Sequence, residues 1–346
     1  MAVTVEHIMA NLTPRCTWEC RHCIYECGPN RTGEIPIGSL KAYLAQMPDL
    51  KTGRLVLSGG EAYLYPHLDE AISFAGKLKE TTGYPKKIYM LTNGFWAGDF
   101  DRALLTIKKW KELGLTHLNV SNDKYHREFN QERQIANLSA IAKHDGVPKI
   151  EITSEGGIIP LGKARQGISE KEMLQHYLDC CGLTNLAFAN RFPKEYSNEL
   201  FIFSDGVYAC GNKVGYLGKG EKLAESVESF KSNAVFQVIG CAGPKGVVDF
   251  VKEKMPASIV QEAASLHDCI VCYDILSNKE AVKTIESEFP SIMQKVEQEW
   301  GEEAERERIL EPRLRALEKR LSSGERISPE LINEFTDLKR LMKIEW

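Results

Sequence analysis

The chain has 346 residues, 43% hydrophobic and 27% charged, a composition typical of a globular protein with one large domain or a domain and an appendage. Its formal net charge of −4 gives no electrostatic reason to bind nucleic acid or an anionic membrane. The N-terminus lacks the basic and apolar regions of a signal peptide, and no apolar run approaches the roughly 20 residues that span a bilayer. We therefore expect a soluble, cytoplasmic protein that binds neither nucleic acid nor membrane.

Strands and helices alternate over the first 190 residues. The predicted strands are Val3–Leu12, Arg54–Ser58, Lys87–Leu91, Thr116–Ser121 and Lys149–Ser154, with Leu186–Ala189 as a candidate sixth. The predicted helices are Ser39–Gln46, Leu68–Lys79, Arg102–Leu113 and Gln131–His144. Polar residues and glycines follow the strands, which is typical of a parallel α/β sheet or barrel with its site at the strand C-termini. Six strands predict a partial (β/α)6 barrel over residues 1–190.

The pattern changes after residue 190. Glu199–Phe203 and Val207–Ala209, joined by Asp205-Gly206, predict a β-hairpin that begins a second region, residues 191–278. Residues 279–346 are strongly charged and predict a helical C-terminal extension. Leucines at 310, 314, 317 and 321 form one apolar stripe of this extension. A cap that packs its own stripe is favoured, and a dimer or partner surface is the alternative.

Ten cysteines fall into two groups, which fits metal binding better than the disulfide scaffolds of short secreted proteins. The first group is Cys16, Cys20, Cys23 and Cys27. The second group is Cys180, Cys181, Cys210, Cys241, Cys269 and Cys272. In the first group, Cys16, Cys20 and Cys23 are spaced so that one loop can present three thiolates. Three thiolates on a [4Fe–4S] cluster leave one iron open. A zinc site completed by Cys27 or His22 is the alternative.

The spacing Cys16-x3-Cys20-x2-Cys23 resembles the defining motif of the radical S-adenosylmethionine (radical SAM) superfamily. The resemblance implies that the three cysteines hold a [4Fe–4S] cluster and that SAM chelates its open iron, which leaves Cys27 outside the ligand set. Gly59-Gly60-Glu61-Ala62 follows the second strand and is similar to the superfamily's Gly-Gly-Glu-Pro segment, which binds the SAM amino group. Without the cysteine motif upstream, an ordinary turn would be the alternative for Gly59-Gly60-Glu61.

The resemblance also assigns roles at the later strand ends. Asn93 lines the SAM and substrate pocket, and Ser121 is the preferred contact to the ribose, followed by Asn122 and Asp123. Arg165, with Lys163 as second choice, pairs with a carboxylate of SAM or substrate, and surface exposure is the alternative. His22 takes the place of a residue that packs near adenine. The segment Asp123-Lys124-Tyr125-His126 offers an acid, a base or a tyrosine to the site. For Lys124 and His126, a position in a solvated loop is the alternative.

The second cysteine group is similar to the SPASM and Twitch auxiliary-cluster extensions of radical SAM maturases, although its spacing departs from both. The resemblance implies a second iron–sulfur cluster on Cys181, Cys210, Cys269 and Cys272, and a zinc knuckle is the alternative for the last two. Cys180 and Cys241 are then spare. Each is either a buried structural thiol or a hydrogen-atom donor.

The motif order resembles the epipeptide-type peptide epimerases. It implies a radical SAM enzyme that modifies a ribosomal peptide by epimerisation or crosslinking, with electrons from a flavodoxin- or ferredoxin-type donor. An epimerase or dehydrogenase of a small molecule such as a sugar is the first alternative. A zinc-stabilised binding protein is the alternative from another class.

Overall fold

The computed structural model describes residues 5–154, 161–168, 199–211, 213–219, 222–231, 233–263 and 268–298. The chain divides into two compact units, Met1–Ser287 and Glu288–Trp346. In the second unit, residues 288–298 are described and helical. The candidate strand Leu186–Ala189 and the leucine stripe after residue 309 lie outside the described residues. The domain boundaries expected at residues 190 and 278 stay predictions.

The described strands form one eight-stranded sheet in the order β5-β4-β3-β2-β1-β6-β7-β8. They are β1 (His7–Asn11), β2 (Arg54–Ser58), β3 (Lys87–Thr92), β4 (His117–Ser121), β5 (Lys149–Thr153), β6 (Glu199–Phe203), β7 (Gly206–Cys210) and β8 (Val214–Gly218). Neighbouring strands from β5 to β6 pair in parallel, and β7 and β8 complete an antiparallel edge. The C-terminal ends of β1–β6 therefore meet along one edge of the sheet.

Helices connect the parallel strands, as right-handed crossovers require. The helices of the first unit are α1 (Ile37–Leu44), α2 (Leu68–Thr82), α3 (Phe100–Glu112), α4 (Glu132–Ile141), α5 (Ala164–Gly167), α6 (Leu223–Lys231), α7 (Ala234–Val251), α8 (Ala257–Ala263) and α9 (Asp268–Ser277). Residues 279–287 are also helical. Local sequence sets some of these ends: the Asp99 carboxylate accepts the Arg102 N–H where α3 begins, and Gly83 ends α2 with φ +80°.

The two faces of the parallel strands differ, because successive side chains point to opposite sides of a sheet. One face carries fully buried apolar side chains that form the core: Ile8, Ala10, Leu55, Leu57, Ile88, Met90, Leu118 and Val120. The other face, called the inner face below, carries more polar residues, among them Asn11, Ser58 and His117. The His117 ring stacks on Tyr89 with centroids 4.1 Å apart.

The predicted α/β fold class, with a sheet dominated by parallel strands, is confirmed. Strands β2 to β5 begin within one residue of their predicted starts, and the hairpin after residue 198 is present. One feature was not predicted: β6 pairs in parallel with β1, so the sheet continues beyond residue 190. This pairing satisfies main-chain N–H and C=O groups that β1 would otherwise expose as an edge strand.

Among the described helices, α7 is long and apolar enough to cross a membrane, with a mean hydropathy of 1.3 over 18 residues. Half of it is buried within the protein, and its backbone departs from helical geometry at Gly243, before Pro244. Core helices of soluble proteins commonly share this length and composition. The helix is therefore weak support for a membrane span.

Candidate functional site

The loop that carries the first cysteines follows the C-terminal end of β1, and main-chain hydrogen bonds join the beginning of the loop to its end. The Cys16 N–H donates to the Gly28 carbonyl at 3.1 Å, and Arg15 forms an isolated parallel bridge with Gly28. Within the loop, the Cys23 N–H donates to the Cys20 carbonyl at 3.1 Å. These main-chain bonds fold the loop over the end of the sheet, so three thiols face one space.

That space is a cavity of about 270 Å³, called the cysteine cavity below. Its wall brings together eight residues that the sequence singled out: Cys16, Cys20, Cys23, Gly59, Gly60, Asn93, Ser121 and His22. They come from the cysteine loop and from the ends of β2, β3 and β4. The convergence of cysteines with polar groups at strand C-termini is the arrangement expected of a cofactor site on a parallel sheet.

The thiols of Cys16 and Cys20 resist ionisation because they are buried. Burial raises the pKa of Cys16 to about 11 and the pKa of Cys20 to about 12. Electrostatic repulsion from neighbouring thiolates adds to the rise at both positions. A cationic metal centre would reverse this balance, because thiolates that coordinate a metal are deprotonated. The donor set therefore fits a metal group.

Cys23 behaves differently because of Cys27. A hydrogen bond from the Cys27 side chain lowers the pKa of Cys23 to about 6, and the Cys27 main-chain N–H also donates to Cys23 Sγ at 3.4 Å. The positive charge of Lys163 contributes in the same direction. Cys27 is only 3% exposed, and its own pKa is raised by the same contact with Cys23. Cys27 therefore supports a predicted ligand directly, which its sequence position did not reveal.

The distances between the cysteine sulfurs distinguish a site for an iron–sulfur cluster from a site for a single zinc ion. Four sulfurs around one tetrahedral zinc lie about 3.8 Å apart, because each Zn–S bond is about 2.3 Å. Within the described part of the chain, no three cysteine sulfurs lie within 4.8 Å of one another. The loop thus presents its thiols around a larger volume than one zinc ion needs, which favours a cluster.

Gly59 and Gly60 are required by close backbone packing. The Gly60 N–H donates to the Thr13 carbonyl at 2.6 Å, and Gly59 has φ +135°. A Cβ at Gly59 would lie 2.5 Å from the Thr13 carbonyl oxygen, and one at Gly60 would collide with the Arg15 carbonyl. The two glycines therefore let the end of β2 lie against the chain that enters the cysteine loop, in addition to lining the cavity.

Glu61 is a buried carboxylate, 1% exposed, that joins β2 to β3. Its Oε1 accepts hydrogen bonds from the Tyr63 N–H at 3.0 Å and the Thr92 hydroxyl at 2.7 Å, and its Oε2 accepts the Asn93 N–H at 2.8 Å. Burial raises the pKa of Glu61, whereas these donors favour the ionised form. The structure does not include Glu61 in the cavity wall; its contacts hold the end of β3 in place.

Asn93, oriented by Glu61, turns its amide toward the cysteine loop. Asn93 Nδ2 lies 3.7 Å from Cys16 Sγ and 3.2 Å from the Thr17 hydroxyl oxygen, and Oδ1 accepts the Phe95 N–H. A side-chain amide that donates to a ligand sulfur stabilises its thiolate form.

At the end of β4, Ser121 lies in the cavity wall and Asn122 does not. The Gln131 amide donates to the Ser121 carbonyl at 3.1 Å and to Asn122 Oδ1 at 3.0 Å. This contact holds the Asn122 side chain away from the cavity. Ser121 is on the cavity wall, and its contact with a ribose stays a prediction.

Three side chains beside the cysteine loop lie close enough to share a metal ion: His22, Asp123 and His126, whose ligating atoms are within 4.8 Å. Asp123 Oδ2 is 2.6 Å from His126 Nδ1. Burial opposes the charge of Asp123, but the hydrogen bond and charge of His126 outweigh it and lower the pKa of Asp123 to about 2. His22 stacks on Tyr125 at 4.6 Å, and burial lowers the pKa of His22. His126 lines the cavity, although the sequence left a solvated loop open for it.

The structure places Arg165 in a different cavity. Its guanidinium forms two hydrogen bonds to the Asp274 carboxylate, at 3.1 and 3.2 Å. Lys163 donates its ammonium to the Cys27 carbonyl at 3.1 Å. Arg165 lines a larger cavity of about 620 Å³, called the larger cavity below, whereas neither residue lines the cysteine cavity. The pairing of Arg165 with a carboxylate of SAM or substrate stays a prediction, and within the protein the Arg165 guanidinium is paired with Asp274.

The later cysteines do not reach either cavity wall among the described residues. Cys210 ends β7, Cys241 lies in α7, and Cys269 and Cys272 lie in α9. Cys180 and Cys181 lie outside the described residues, so the predicted auxiliary ligand set of Cys181, Cys210, Cys269 and Cys272 stays a prediction.

Comparisons with known proteins match the part of the chain that contains the cysteine loop. Residues 10–145 match the model of the Radical SAM superfamily. The chain is 26% identical over 133 residues to the "Putative peptide biosynthesis protein YydG" of Bacillus subtilis (strain 168), covering 38% of this chain and 40% of that protein. It is 27% identical over 150 residues to a GTP 3',8-cyclase of Stenotrophomonas maltophilia (strain K279a), covering 42% of this chain and 40% of that protein. The chain thus spans about two fifths of the length of these relatives.

Among solved structures, the crystal structure of BtrN in complex with AdoMet and 2-DOIA aligns with 71% of this chain and 91% of that chain, at 18% sequence identity and a TM-score of 0.45. The matched sequence segment, residues 10–145, contains the end of β1, strands β2 to β4, the cysteine loop, Gly59-Gly60, Asn93 and Ser121. The part of the chain that matches the Radical SAM superfamily model is therefore the part that lines the cysteine cavity.

Proposed function

We propose that this protein is a radical SAM enzyme that modifies a peptide. The observation that carries the proposal is the convergence of Cys16, Cys20 and Cys23 with Gly60 and Asn93 on the wall of one cavity. In the proposal, the three cysteines hold a [4Fe–4S] cluster whose open iron binds SAM. A cluster with SAM supplies one-electron cleavage of SAM, which yields a radical able to take a hydrogen atom from a substrate C–H bond.

The protein's own residues position and protect this chemistry. The Trp18 N–H donates to Cys16 Sγ at 3.5 Å. The Asn93 amide, at the end of β3, approaches the same sulfur. Such donors favour the thiolate ligand and tune the potential of a cluster. Gly59 and Gly60 allow the backbone to lie close to a bound molecule, and the Ser121 hydroxyl is available for a ribose. The cysteines are mostly buried, which limits access of water.

A peptide substrate is supported by the relative YydG, which is named for peptide biosynthesis. The outcome, epimerisation or crosslinking, follows from what quenches the substrate radical. Epimerisation requires a hydrogen-atom donor, for which Cys180 and Cys241 are the candidates, and crosslinking removes two hydrogens. The proposal includes a second iron–sulfur cluster on the later cysteines, a low-potential flavodoxin- or ferredoxin-type electron donor and a cytoplasmic location.

A small-molecule substrate is the second candidate. It is favoured by the match to GTP 3',8-cyclase, at an identity similar to that of the match to YydG. The larger cavity, which adjoins the cysteine cavity, has the size of a small-molecule site and does not by itself separate the two candidates.

The test is the formation of 5′-deoxyadenosine from SAM by protein purified and reconstituted without oxygen. Wild-type protein is expected to form it with a strong reductant, and Cys16→Ala, Cys20→Ala and Cys23→Ala are each expected to abolish it. Cys241→Ala serves as a control for loss of a thiol that lines neither cavity and is not a predicted cluster ligand, and it should retain 5′-deoxyadenosine formation. Formation by any of the three loop variants would refute the assignment of the site.

A further inference from the structure

The larger cavity shares part of its wall with the cysteine cavity. Ile24, Tyr25, Cys27 and Gly59 line both. Its volume of about 620 Å³ lies in the range of cavities that hold drug-sized ligands. A molecule bound there would lie next to the cofactor proposed for the cysteine cavity, which is the position a substrate needs.

Tyr273 is an exposed aromatic side chain on the wall of the larger cavity. Three large hydrophobic side chains are exposed among the described residues: Leu105, Tyr216 and Tyr273, the last of them 39% exposed. Leu105 and Tyr216 line neither cavity, and single exposed side chains of this kind are common on protein surfaces. Tyr273 differs from them because its exposed surface belongs to a concave site, where a ligand can cover it.

Helix α9 holds Tyr273 on the side that faces the larger cavity. Ser277, one helical turn further along, lines the same cavity. The opposite side of the helix carries Val271 and Ile275, which are fully buried, and α9 packs against α7 and α8. Because this apolar side is packed into the protein, the helix cannot rotate, and Tyr273 stays directed at the cavity.

An ion pair next to Tyr273 holds this part of α9 in place. The Arg165 guanidinium donates two hydrogen bonds to the Asp274 carboxylate, at 3.1 and 3.2 Å. A bidentate contact of this kind fixes orientation as well as distance. The position of Tyr273 is therefore set before a ligand binds. A tyrosine side chain has only two rotatable bonds to the ring, so a ligand that stacks on it loses little affinity to side-chain ordering.

The cationic side chains on the cavity wall are engaged with acidic partners, which disfavours a nucleotide. The pairs are Arg31 with Glu26, Lys213 with Asp205, and Arg165 with Asp274. A polyphosphate would have to compete with these carboxylates for the cations and would then lie close to the displaced carboxylates. In contrast, two further aromatic rings line the wall, Tyr25 and Phe203, with centroids 5.6 Å apart. Among the described residues, the wall suits an apolar, aromatic group.

We propose that Tyr273 stacks on an aromatic side chain of the peptide substrate in the larger cavity; this inference rests on the proposed function. Contact between two aromatic rings contributes to binding beyond the apolar area that it buries, whereas an aliphatic side chain of equal size gains from area alone. Because the larger cavity adjoins the cysteine cavity, the aromatic residue is either the residue to be modified or a near neighbour of it in the peptide.

The experiment measures binding of two peptide probes to reconstituted full-length protein by saturation-transfer NMR. The first probe is the capped tripeptide glycyl-phenylalanyl-glycine, and the second has cyclohexylalanine in place of phenylalanine. Cyclohexylalanine is similar in size and more apolar but is not aromatic, so burial of apolar area alone would favour the second probe. Wild-type protein is expected to bind the phenylalanine probe about three- to tenfold more tightly, the factor that one aromatic pair contributes. GTP is expected to bind more weakly than the phenylalanine probe.

Three variants separate stacking from other roles of the residue. Tyr273→Phe keeps an aromatic ring and should keep the preference for the phenylalanine probe, and Tyr273→Leu should lose it. Tyr216→Leu is the matched control, because Tyr216 is also exposed but lines neither cavity, and it should keep the preference. The melting temperatures of Tyr273→Leu and wild type should differ by less than about 2 °C, since an exposed side chain contributes little to stability.

Five results would overturn the inference: no binding of the phenylalanine probe by wild type, equal or tighter binding of the cyclohexylalanine probe, an unchanged preference in Tyr273→Leu, tighter binding of GTP than of the phenylalanine probe, or a larger fall in the melting temperature of Tyr273→Leu. Failure of the proposed function is a separate result. It would appear as absence of 5′-deoxyadenosine formation by wild-type protein, whichever probe binds.

Discussion

Glu61 offers a quantitative test of how the site is held. Replacing it by Gln keeps the shape of the side chain but converts one acceptor oxygen into an NH₂ donor. Whichever way the amide is turned, this donor faces either the Asn93 N–H, now 2.8 Å from Oε2, or the Tyr63 N–H and Thr92 hydroxyl on Oε1. The substitution therefore loses at least one charge-assisted hydrogen bond and leaves a buried donor without an acceptor.

A hydrogen bond to a charged group contributes about 1.5–3 kcal/mol, so Glu61→Gln should lower the free energy of unfolding by about 2–3 kcal/mol. In a unit of this size, that loss corresponds to a fall in melting temperature of about 4–10 °C. Differential scanning calorimetry of the oxygen-free, reconstituted protein measures it. Glu34→Gln is the control, since Glu34 is exposed, and it should change stability by less than about 0.5 kcal/mol. Equal melting temperatures for Glu61→Gln and Glu34→Gln would refute the role assigned to Glu61.

Three further predictions address the glycines, the acidic group and the late thiols. Gly60→Ala should prevent stable folding of the loop, seen as lost iron content and a lowered melting temperature, whereas Gly38→Ala, whose Cβ meets nothing within 4 Å, should not. Asp123→Asn should cost about 1–2 kcal/mol at pH 7 in urea unfolding. Because folding lowers the pKa of Asp123 from 3.8 to about 2, this deficit should shrink as pH falls through that interval; a gap that persists at pH 2 contradicts it. For epimerisation in deuterium oxide, the product should gain one deuteron, and Cys180→Ala or Cys241→Ala should stop the gain; if both variants still deuterate, neither thiol is the donor.

The fold and the cysteine loop were readable from sequence because their signals are local. The spacing of Cys16, Cys20 and Cys23 and the alternation of apolar strands with helices each depend on residues close together in the chain. Gly59 and Gly60 line the cysteine cavity, and their predicted role in binding SAM stays a prediction. Their packing against the carbonyls of Thr13 and Arg15 was not foreseeable without the pairing of β1 with β2.

The features missed by sequence depend on contacts between distant segments. Glu61 was interpreted as part of a cofactor-binding segment, which stays a prediction, but its hydrogen bonds to the end of β3, about thirty residues away, were not foreseeable. Arg165 pairs with Asp274, which is more than a hundred residues away in the chain. No local sequence pattern indicates that these two residues form an ion pair. Such residues become visible once the strand order is known.

The central claim is that three cysteines hold a cluster whose open iron binds SAM. Electron paramagnetic resonance of the reduced, reconstituted protein, recorded with and without SAM, tests it most directly. The claim predicts a [4Fe–4S] signal that shifts when SAM is added, with the same shift in Cys27→Ala, because Cys27 contacts Cys23 but is not a ligand. A colourless protein that contains zinc alone, or a cluster signal that SAM leaves unchanged, would contradict it.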